Sequence, residues 1–210
     1  MGRVRGKSWM QEHVADAYVK RARAEGMRSR AAYKLAQIAE RDRLLKPGMI
    51  VVDLGAAPGG WSQVAAERVG PRGRVIALDL LDMAPMRGVT FIRGDARDDA
   101  VVAKLENALG GQKADLVLSD MAPNLSGIAA TDQARALELA ELALDFALKY
   151  LKPQGNFLVK AFQGSDFEDF LKMLRSRFTA VAMRKPEASR SRSSELYLVG
   201  KGVLAREAAR

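Results

Sequence analysis

Cysteine is absent from the 210 residues, and histidine occurs once, at position 13. Without cysteine the chain has no disulfides, no thiolate zinc site and no cysteine nucleophile. We interpret His13 as a solvated or packing residue rather than a catalytic one, and we expect no bound metal. The chain has no apolar run of membrane-spanning length, and its first residues are too basic and polar for a secretory leader. We therefore expect a cytoplasmic protein that does not bind a membrane.

Basic residues outnumber acidic ones, and the net charge of +9 is unevenly distributed. Residues 1–46 hold twelve lysines and arginines against five acidic residues, and a second basic cluster lies at 184–192. Such clusters are typical of proteins that bind a polyanion, and nucleic acid is the usual one. A solvated basic surface without a partner is the alternative. We predict RNA contacts from six arginines: Arg21, Arg23, Arg28, Arg30, Arg190 and Arg192.

Short apolar runs alternate with helical patterns from residue 49 onward. They predict strands at 49–54, 74–79, 89–93, 114–120, 155–161, 178–184 and 195–201, and helices at 60–68, 98–109, 131–151 and 165–176. This alternation is typical of an α/β protein with a Rossmann-like, seven-stranded, mostly parallel sheet and helices on both faces. No helix separates the last two strands, so they should form a hairpin that adds one antiparallel strand.

The basic residues 1–46 are predicted to form an extension of a single domain, and we expect a monomer. Within the extension, residues 14–24 favour a short helix. A second helix is predicted from about Arg30 to Leu45, with Ser29 as its N-cap. Pro47 and Gly48 should end it.

The segment MIVVDLGAAPGGWSQV, residues 49–64, joins a buried strand to a helix through a glycine-rich turn. Gly55, Gly59 and Gly60 let the backbone turn tightly and approach a ligand closely. Their spacing fits neither the dinucleotide pattern G-x-G-x-x-G nor a phosphate-binding P-loop. The form D-x-G-x-x-P-G-G resembles motif I of S-adenosylmethionine-dependent methyltransferases, which implies that cofactor. A plain strand–turn–helix connection is the alternative.

Two acidic residues lie at the carboxyl ends of the next strands, where open α/β sheets bind ligands. Asp79 ends its strand twenty residues after Gly59, where a carboxylate can accept the hydroxyls of a cofactor ribose. Asp95 follows the third strand and is a candidate contact for an adenine amino group. Either residue alone is equally compatible with a helix cap or a turn, but the glycine turn favours the cofactor interpretation.

A second polar group is predicted at the ends of the fourth and fifth strands. Asp120 and Lys160 end these adjacent strands, so their side chains should face one crevice beside the glycine turn. Glu195 begins the antiparallel strand and should lie at the same edge. Lysine is rarely buried unless it is paired, so a structural ion pair between Lys160 and Asp120 is the alternative to a catalytic role.

Five long segments occur in order along the chain: SRAAYKL (29–35), VVDLGAAPGGWSQ (51–63), LVLSDMAPN (116–124), FLVKAFQG (157–164) and SRSRSSELYLV (189–199). From about residue 29 onward the chain thus resembles the FtsJ family of RNA ribose 2′-O-methyltransferases. The resemblance implies a methyltransferase fold and a Lys-Asp-Lys-Glu tetrad, which falls on Lys34, Asp120, Lys160 and Glu195. It also implies cofactor contacts at five positions: Gly59, Trp61, Asp79, Asp95 and Asp120.

The resemblance implies methyl transfer from S-adenosylmethionine to a ribose 2′-hydroxyl, with a uridine of 23S ribosomal RNA in the large subunit as the expected target. Lys160 is nominated to accept the hydroxyl proton as a base or to steer it as a cation, and the sequence leaves both roles open. One alternative is a base-directed RNA methyltransferase, but no aromatic residue follows Asp120 in the segment 120–124 to stack a base. The other is a non-catalytic ribosome-assembly factor that binds RNA, and the intact tetrad argues against it.

Overall fold

A computed structural model describes residues 16–124, 126–164, 166–190 and 193–204. The predictions for His13, Arg192 and the start of the 14–24 helix lie outside these residues. The described part forms six helices: α1 (Ala17–Ala24), α2 (Ala31–Asp42), α3 (Gly60–Val69), α4 (Asp99–Leu109), α5 (Ala129–Tyr150) and α6 (Phe167–Arg177). It forms seven strands: β1 (Ile50–Leu54), β2 (Arg74–Asp79), β3 (Val89–Arg93), β4 (Ala114–Ser119), β5 (Leu151–Phe162), β6 (Phe178–Arg184) and β7 (Glu195–Val203).

The strands form one seven-stranded sheet in the order β3-β2-β1-β4-β5-β7-β6. Strand β7 pairs antiparallel with β5 and with β6, and the other pairings are parallel. The mostly parallel sheet and its closing hairpin are therefore confirmed. The strand order reverses between β1 and β4, so a ligand crevice is expected beyond the carboxyl ends of these two strands.

The helices cover the two faces of the sheet and define two cores. Apolar residues of α2 and α3 pack on one face, against side chains such as Val51, Leu118 and Tyr197. Apolar residues of α4, α5 and α6 pack on the other face, against side chains such as Val52 and Phe157. Continuous apolar strands such as β1, in which every residue is buried, are what a sheet covered on both faces requires. Among the described residues, no helix is both long and apolar enough to cross a membrane.

Helix α2 differs from its prediction at both ends. Its N-cap is Arg30, without a side-chain cap bond, and among the described residues the buried Ser29 hydroxyl has no hydrogen-bond partner. The prediction of Ser29 as N-cap is wrong. The helix ends at Asp42 rather than Leu45, since Arg43 adopts a left-handed backbone conformation with φ of 54°. Asp42 is buried there and paired with Arg184, so a tertiary ion pair fixes the helix end.

Strand β5 begins at Leu151, four residues earlier than predicted, directly after α5. Its pairing with β4 shifts register between Ala114 and Leu116. Gln154 has a positive φ of 64° within this irregular stretch. The polar sequence around Pro153 and Gln154 gives no strand signal, so the prediction detected only the regular part.

Candidate active site

The sheet register brings Asp120 and Lys160 together. Ser119 at the end of β4 pairs with Val159 of β5, so the next residues on the two strands are neighbours. The Lys160 amine donates to the backbone oxygen of Asp120 at 2.6 Å and lies 3.1 Å from its Oδ1. The Lys160 side chain is only 8% exposed. The pair thus forms a nearly buried ion pair at the carboxyl edge of the sheet.

Lys34 and Glu195 form the second half of the cluster. Lys34 on α2 donates to Glu195 Oε1 at 2.5 Å, and both side chains are largely buried. Glu195 pairs with Phe162, two residues beyond Lys160 on β5. Alternate residues of a strand share a face, so all four predicted tetrad residues lie around one point.

Tyr197 connects the two halves. It lies directly opposite Lys160 in the β5–β7 pairing and is fully buried. Its hydroxyl donates to Asp120 Oδ1 at 3.1 Å and accepts from the Lys34 amine at 3.2 Å. The cluster is therefore a continuous hydrogen-bonded chain from Glu195 to Lys160.

The electrostatics keep the Glu195 carboxylate available as an acceptor. Burial alone would raise the pKa of Glu195, but the attraction and hydrogen bond of Lys34 outweigh it and hold that pKa below the ordinary value. Burial, with Asp120 and Glu195 nearby, raises the pKa of Tyr197 far above its ordinary value. Tyr197 thus remains a neutral hydrogen-bond donor at any physiological pH.

The glycine turn follows β1, where the strand order reverses, and Asp79 at the end of β2 bonds to it. Asp79 accepts hydrogen bonds from the amides of Ala57 and Leu81, both at 2.8 Å. Its carboxylate therefore fixes the loops that follow β1 and β2, and further lone pairs remain for hydroxyl donors. Gly59, with φ of 106°, is the N-cap of α3. The first amides of a helix have no partner within the helix, so those of α3 are available to a polar ligand.

The Trp61 side chain lies in the core rather than at a surface that a cofactor could contact. Its side chain is 2% exposed, donates from Nε1 to the oxygen of Ala31 at 2.9 Å and packs on Tyr197 with ring centroids 5.7 Å apart. The side chain is thus part of the core. A cofactor contact from Trp61 would therefore have to be made by its backbone, in the first turn of α3.

Asp95 lies at the same edge but has a protein partner. Its carboxylate accepts from the backbone amide and the guanidinium of Arg97, at 2.7 to 3.0 Å. These hydrogen bonds hold the pKa of Asp95 below its ordinary value. A ligand amino group would have to share this carboxylate with Arg97 or displace that exposed side chain.

Asp53 is a further acidic residue, one position before the end of β1. It is fully buried, and Ser62 donates to its Oδ2 at 2.6 Å. Within the described part of the chain its Oδ1 has no hydrogen-bond partner. Burial, opposed by Ser62 and reinforced by Asp120 and Asp79, raises the pKa of Asp53 to about 7. From the sequence, Asp53 was predicted only to lie near the end of the first strand.

The predicted RNA-binding arginines have different environments. Arg21 and Arg23 are exposed on α1, and Arg21 pairs with Glu25 at 2.8 Å. Arg30 donates to Asp16 and to the backbone oxygen of Ala188, so its guanidinium ties the extension to the loop before β7. The other two described arginines also have protein contacts: Arg190 Nε lies 3.5 Å from Asp16, and Arg28 donates to three backbone oxygens.

The family model for FtsJ-like methyltransferases matches residues 27–203. The chain belongs to the FtsJ-like methyltransferase family. A relative from Azoarcus sp., named Ribosomal RNA large subunit methyltransferase E, is 62% identical over 92% of this chain and 95% of its own length. The protein of the same name from Stenotrophomonas maltophilia is 60% identical over 92% of each chain.

Solved structures agree with this assignment. A crystal structure from Plasmodium falciparum, provisionally named as a ribosomal RNA methyltransferase, is 34% identical with a TM-score of 0.77, over 85% of this chain and 100% of that one. Fibrillarin from Aeropyrum pernix, solved with natively bound S-adenosylmethionine, shares the fold at 17% identity and a TM-score of 0.54, over 80% and 75% of the two chains. The expected methyltransferase fold is thus confirmed.

This FtsJ-like methyltransferase uses S-adenosylmethionine, and the residues at the switch point fit that group. S-adenosylmethionine carries a sulfonium and an ammonium, and the carboxyl ends of β2, β3 and β4 present the carboxylates of Asp79, Asp95 and Asp120. Leu80 and Leu81 follow Asp79 and are 60% and 68% exposed. They give the same edge the apolar surface that an adenine ring requires.

Sequence reasoning missed Tyr197, Asp53 and the two leucines of the FtsJ-like site. Tyr197 lies in the quoted segment SRSRSSELYLV, but an aromatic residue in an apolar strand is usually core. The usable signal was its position two residues after Glu195, which puts both side chains on one face. Leu80 and Leu81 follow a strand that ends in an acidic residue, and two adjacent leucines in a loop are a signal of an apolar ligand surface.

Proposed function

We propose that this protein transfers a methyl group from S-adenosylmethionine to the 2′-hydroxyl of a uridine ribose in the 23S ribosomal RNA of the large subunit. The observation that carries the proposal is the chain of contacts from Glu195 through Lys34 and Tyr197 to Asp120 and Lys160, beside a cofactor crevice. The names of the relatives support large-subunit ribosomal RNA as the substrate. The choice of a uridine rests on the family resemblance. A cytoplasmic, monomeric and metal-free enzyme remains our expectation.

Bound S-adenosylmethionine supplies a methyl group on a positively charged sulfur. The protein must align a weak nucleophile with it and manage one proton. Alignment alone can supply several kcal/mol of the barrier reduction, on the order of 7–11 in favourable cases. A buried, fully connected polar cluster provides alignment because its side chains cannot easily reorient.

Lys160 is the group closest to the proposed proton transfer. The Lys160 amine makes two contacts with Asp120, one with the backbone oxygen and one with Oδ1. An ammonium has three N–H groups, so one remains for the 2′-oxygen. An N–H directed at that oxygen occupies one lone pair and leaves the other for the methyl group. The arrangement therefore supports steering by a cation more than proton abstraction by a neutral amine.

Lys34, Glu195 and Tyr197 are positioning residues in this proposal. Lys34 is held by Glu195 and by the Tyr197 hydroxyl, and its positive charge lies within the same cluster as Lys160. Asp120 receives hydrogen bonds from both Lys160 and Tyr197 and is the nearest carboxylate for the departing proton. The exposed arginines of α1 extend the positive surface for the RNA backbone.

The test is methyl transfer from radiolabelled S-adenosylmethionine to large subunits and to free 23S ribosomal RNA, isolated from a strain that lacks the protein. The labelled nucleoside is identified by mass spectrometry after nuclease digestion. We expect 2′-O-methyluridine at one position. Label on a base would indicate a base-directed methyltransferase, and no label on either substrate would indicate a non-catalytic role in assembly.

Lys160→Ala separates acceptor chemistry from cofactor binding. We expect loss of transfer by at least about three orders of magnitude, as is usual when a positioned proton-handling group is removed. Binding of S-adenosylhomocysteine, measured by calorimetry, should stay within about twofold of the wild type. A variant with normal transfer, or one that loses the cofactor instead, would contradict the assigned role.

A further inference from the structure

Arg28 precedes α2 by three residues and contacts the loops that follow β1 and β2. Its NH1 donates to the backbone oxygen of Ala84 at 2.6 Å and lies 3.4 Å from that of Pro58. Its NH2 donates to the oxygen of Pro85 at 2.8 Å. The guanidinium thus satisfies three carbonyl oxygens on two different loops. A planar fork of donors suits this geometry, and a single ammonium does not.

These two loops lie at the carboxyl ends of the strands, where the cofactor crevice is expected. Pro58 belongs to the glycine turn after β1, and Ala84 and Pro85 belong to the loop after β2. Asp79 links the same two loops from the inside, through the amides of Ala57 and Leu81. Arg28 links them from the outside.

Glycines of the turn make room for this contact. A Cβ added to Gly59 would lie 2.9 Å from Arg28 Cδ and 2.9 Å from Met83 Sδ. A Cβ added to Gly60 would collide with the Ser29 hydroxyl. The protein's own segment 28–29 therefore lies close against the backbone of Gly59 and Gly60, whether or not a ligand is bound.

Gln63 fixes the backbone of the same segment. It accepts from the Arg28 amide at 3.0 Å and donates to the oxygen of Gly26 at 3.2 Å. Gln63 lies on the first turn of α3, directly after the glycine turn. The backbone before α2 is thus attached to the cofactor side of the molecule at several points.

We infer that Arg28 is a positioning residue of the cofactor site, which holds the glycine turn and the 83–86 loop at the separation that S-adenosylmethionine needs, rather than a contact to RNA phosphate. The part of this inference that concerns RNA rests on the proposed function. It replaces our prediction that Arg28 contacts RNA. Both N–H groups of NH1 and one of NH2 are directed at carbonyls, so three of the five donors of Arg28 are already used on these two loops.

The test compares Arg28→Gln and Arg28→Lys with a control, Arg72→Gln. Arg72 is exposed in the turn before β2, at the amino ends of the parallel strands, so the control removes one positive charge away from the cofactor site. The dissociation constant of S-adenosylhomocysteine is measured by calorimetry, and RNA binding is measured over a range of salt concentrations. We expect Arg28→Gln to weaken S-adenosylhomocysteine binding about tenfold, as expected for the loss of a charged hydrogen-bond bridge. Arg28→Lys, which keeps the charge but not the fork, should recover only part of that affinity. Neither should change the salt slope of RNA binding.

The inference is overturned if folded Arg28→Gln binds S-adenosylhomocysteine within twofold of the wild type. It is also overturned if its salt slope falls by about one unit, as the loss of one phosphate contact requires. If glutamine destabilises the fold, the affinity of Arg28→Lys decides: binding of S-adenosylhomocysteine within twofold of the wild type overturns the inference. Methylation of ribosomal RNA by the wild type tests the proposed function separately, because it does not depend on either result.

Discussion

Asp53 allows a quantitative prediction for the pH dependence of stability. Its carboxyl is fully buried beneath the glycine turn, with Ser62 as its hydrogen-bond donor at 2.6 Å. Burial raises its pKa to about 7 in the folded protein, whereas an unfolded aspartate has a pKa near 3.9. The native state therefore binds a proton that the unfolded state releases between these two pH values.

The sign follows from linkage. Because the folded pKa of Asp53 is raised, its contribution to stability is fully present below pH 4 and is lost as the pH rises through about 7. Three pKa units correspond to about 4 kcal/mol, at about 1.36 kcal/mol per unit. Asparagine keeps the shape and accepts from Ser62 through its amide oxygen, but it does not ionise. The Asp53→Asn protein should therefore gain stability relative to the wild type, by up to about 4 kcal/mol, as the pH rises from 4 to 7.

The assay is urea unfolding without cofactor at pH values between 4.5 and 7.5, for the wild type, Asp53→Asn and Glu67→Gln. Glu67 is an exposed acid on α3, and Glu67→Gln is the control for removing a surface carboxylate. Differences between two variants cancel the titration of all other groups. A difference between Asp53→Asn and the wild type that does not vary with pH would refute the reasoning, because it would mean that Asp53 titrates equally in the folded and unfolded states.

Two further predictions concern the acceptor side. Tyr197→Phe keeps the buried ring but removes the hydroxyl that bonds Asp120 and Lys34. We expect the free energy of unfolding to fall by about 1–3 kcal/mol and the methyl-transfer rate to fall about tenfold or more, with S-adenosylhomocysteine binding within twofold; a full transfer rate would contradict the positioning role. Arg23→Gln, on the exposed face of α1, should lower the salt slope of RNA binding by about one unit, and Arg72→Gln should not. Equal slopes for Arg23→Gln and the wild type would exclude Arg23 as a phosphate contact.

The sequence predicted the sheet and the meeting of Asp120 with Lys160 because both depend on simple regularities. Apolar runs locate parallel strands, and parallel strands that end at one edge bring their last residues together. The role of Tyr197 was not predictable in the same way. Whether a buried tyrosine is simply packed or completes a polar chain depends on the register between β5 and β7, which a single sequence does not contain.

The environments of the individual arginines could not be predicted from the sequence. Charge clustering indicates a basic surface, but it does not distinguish a guanidinium that faces solvent from one that is bound to carbonyls. Arg23 is exposed, whereas Arg28 donates to Ala84 and Pro85 and Arg30 donates to Asp16 and Ala188. These partners are 14 to 158 residues away in the chain, so only the tertiary fold reveals them.

The two halves of the site are joined through α2 and Trp61. Lys34 and Ala31 lie one turn apart on α2, and the Ala31 oxygen accepts from Trp61 Nε1. Trp61 is the second residue of α3, beside the glycine turn. Its ring packs on Tyr197, which in turn bonds Lys34 and Asp120. The contacts therefore form a closed loop between the cofactor side and the acceptor side. In-line methyl transfer tolerates little displacement of the reacting atoms, so a closed loop of buried contacts meets that requirement better than two independently mobile halves would.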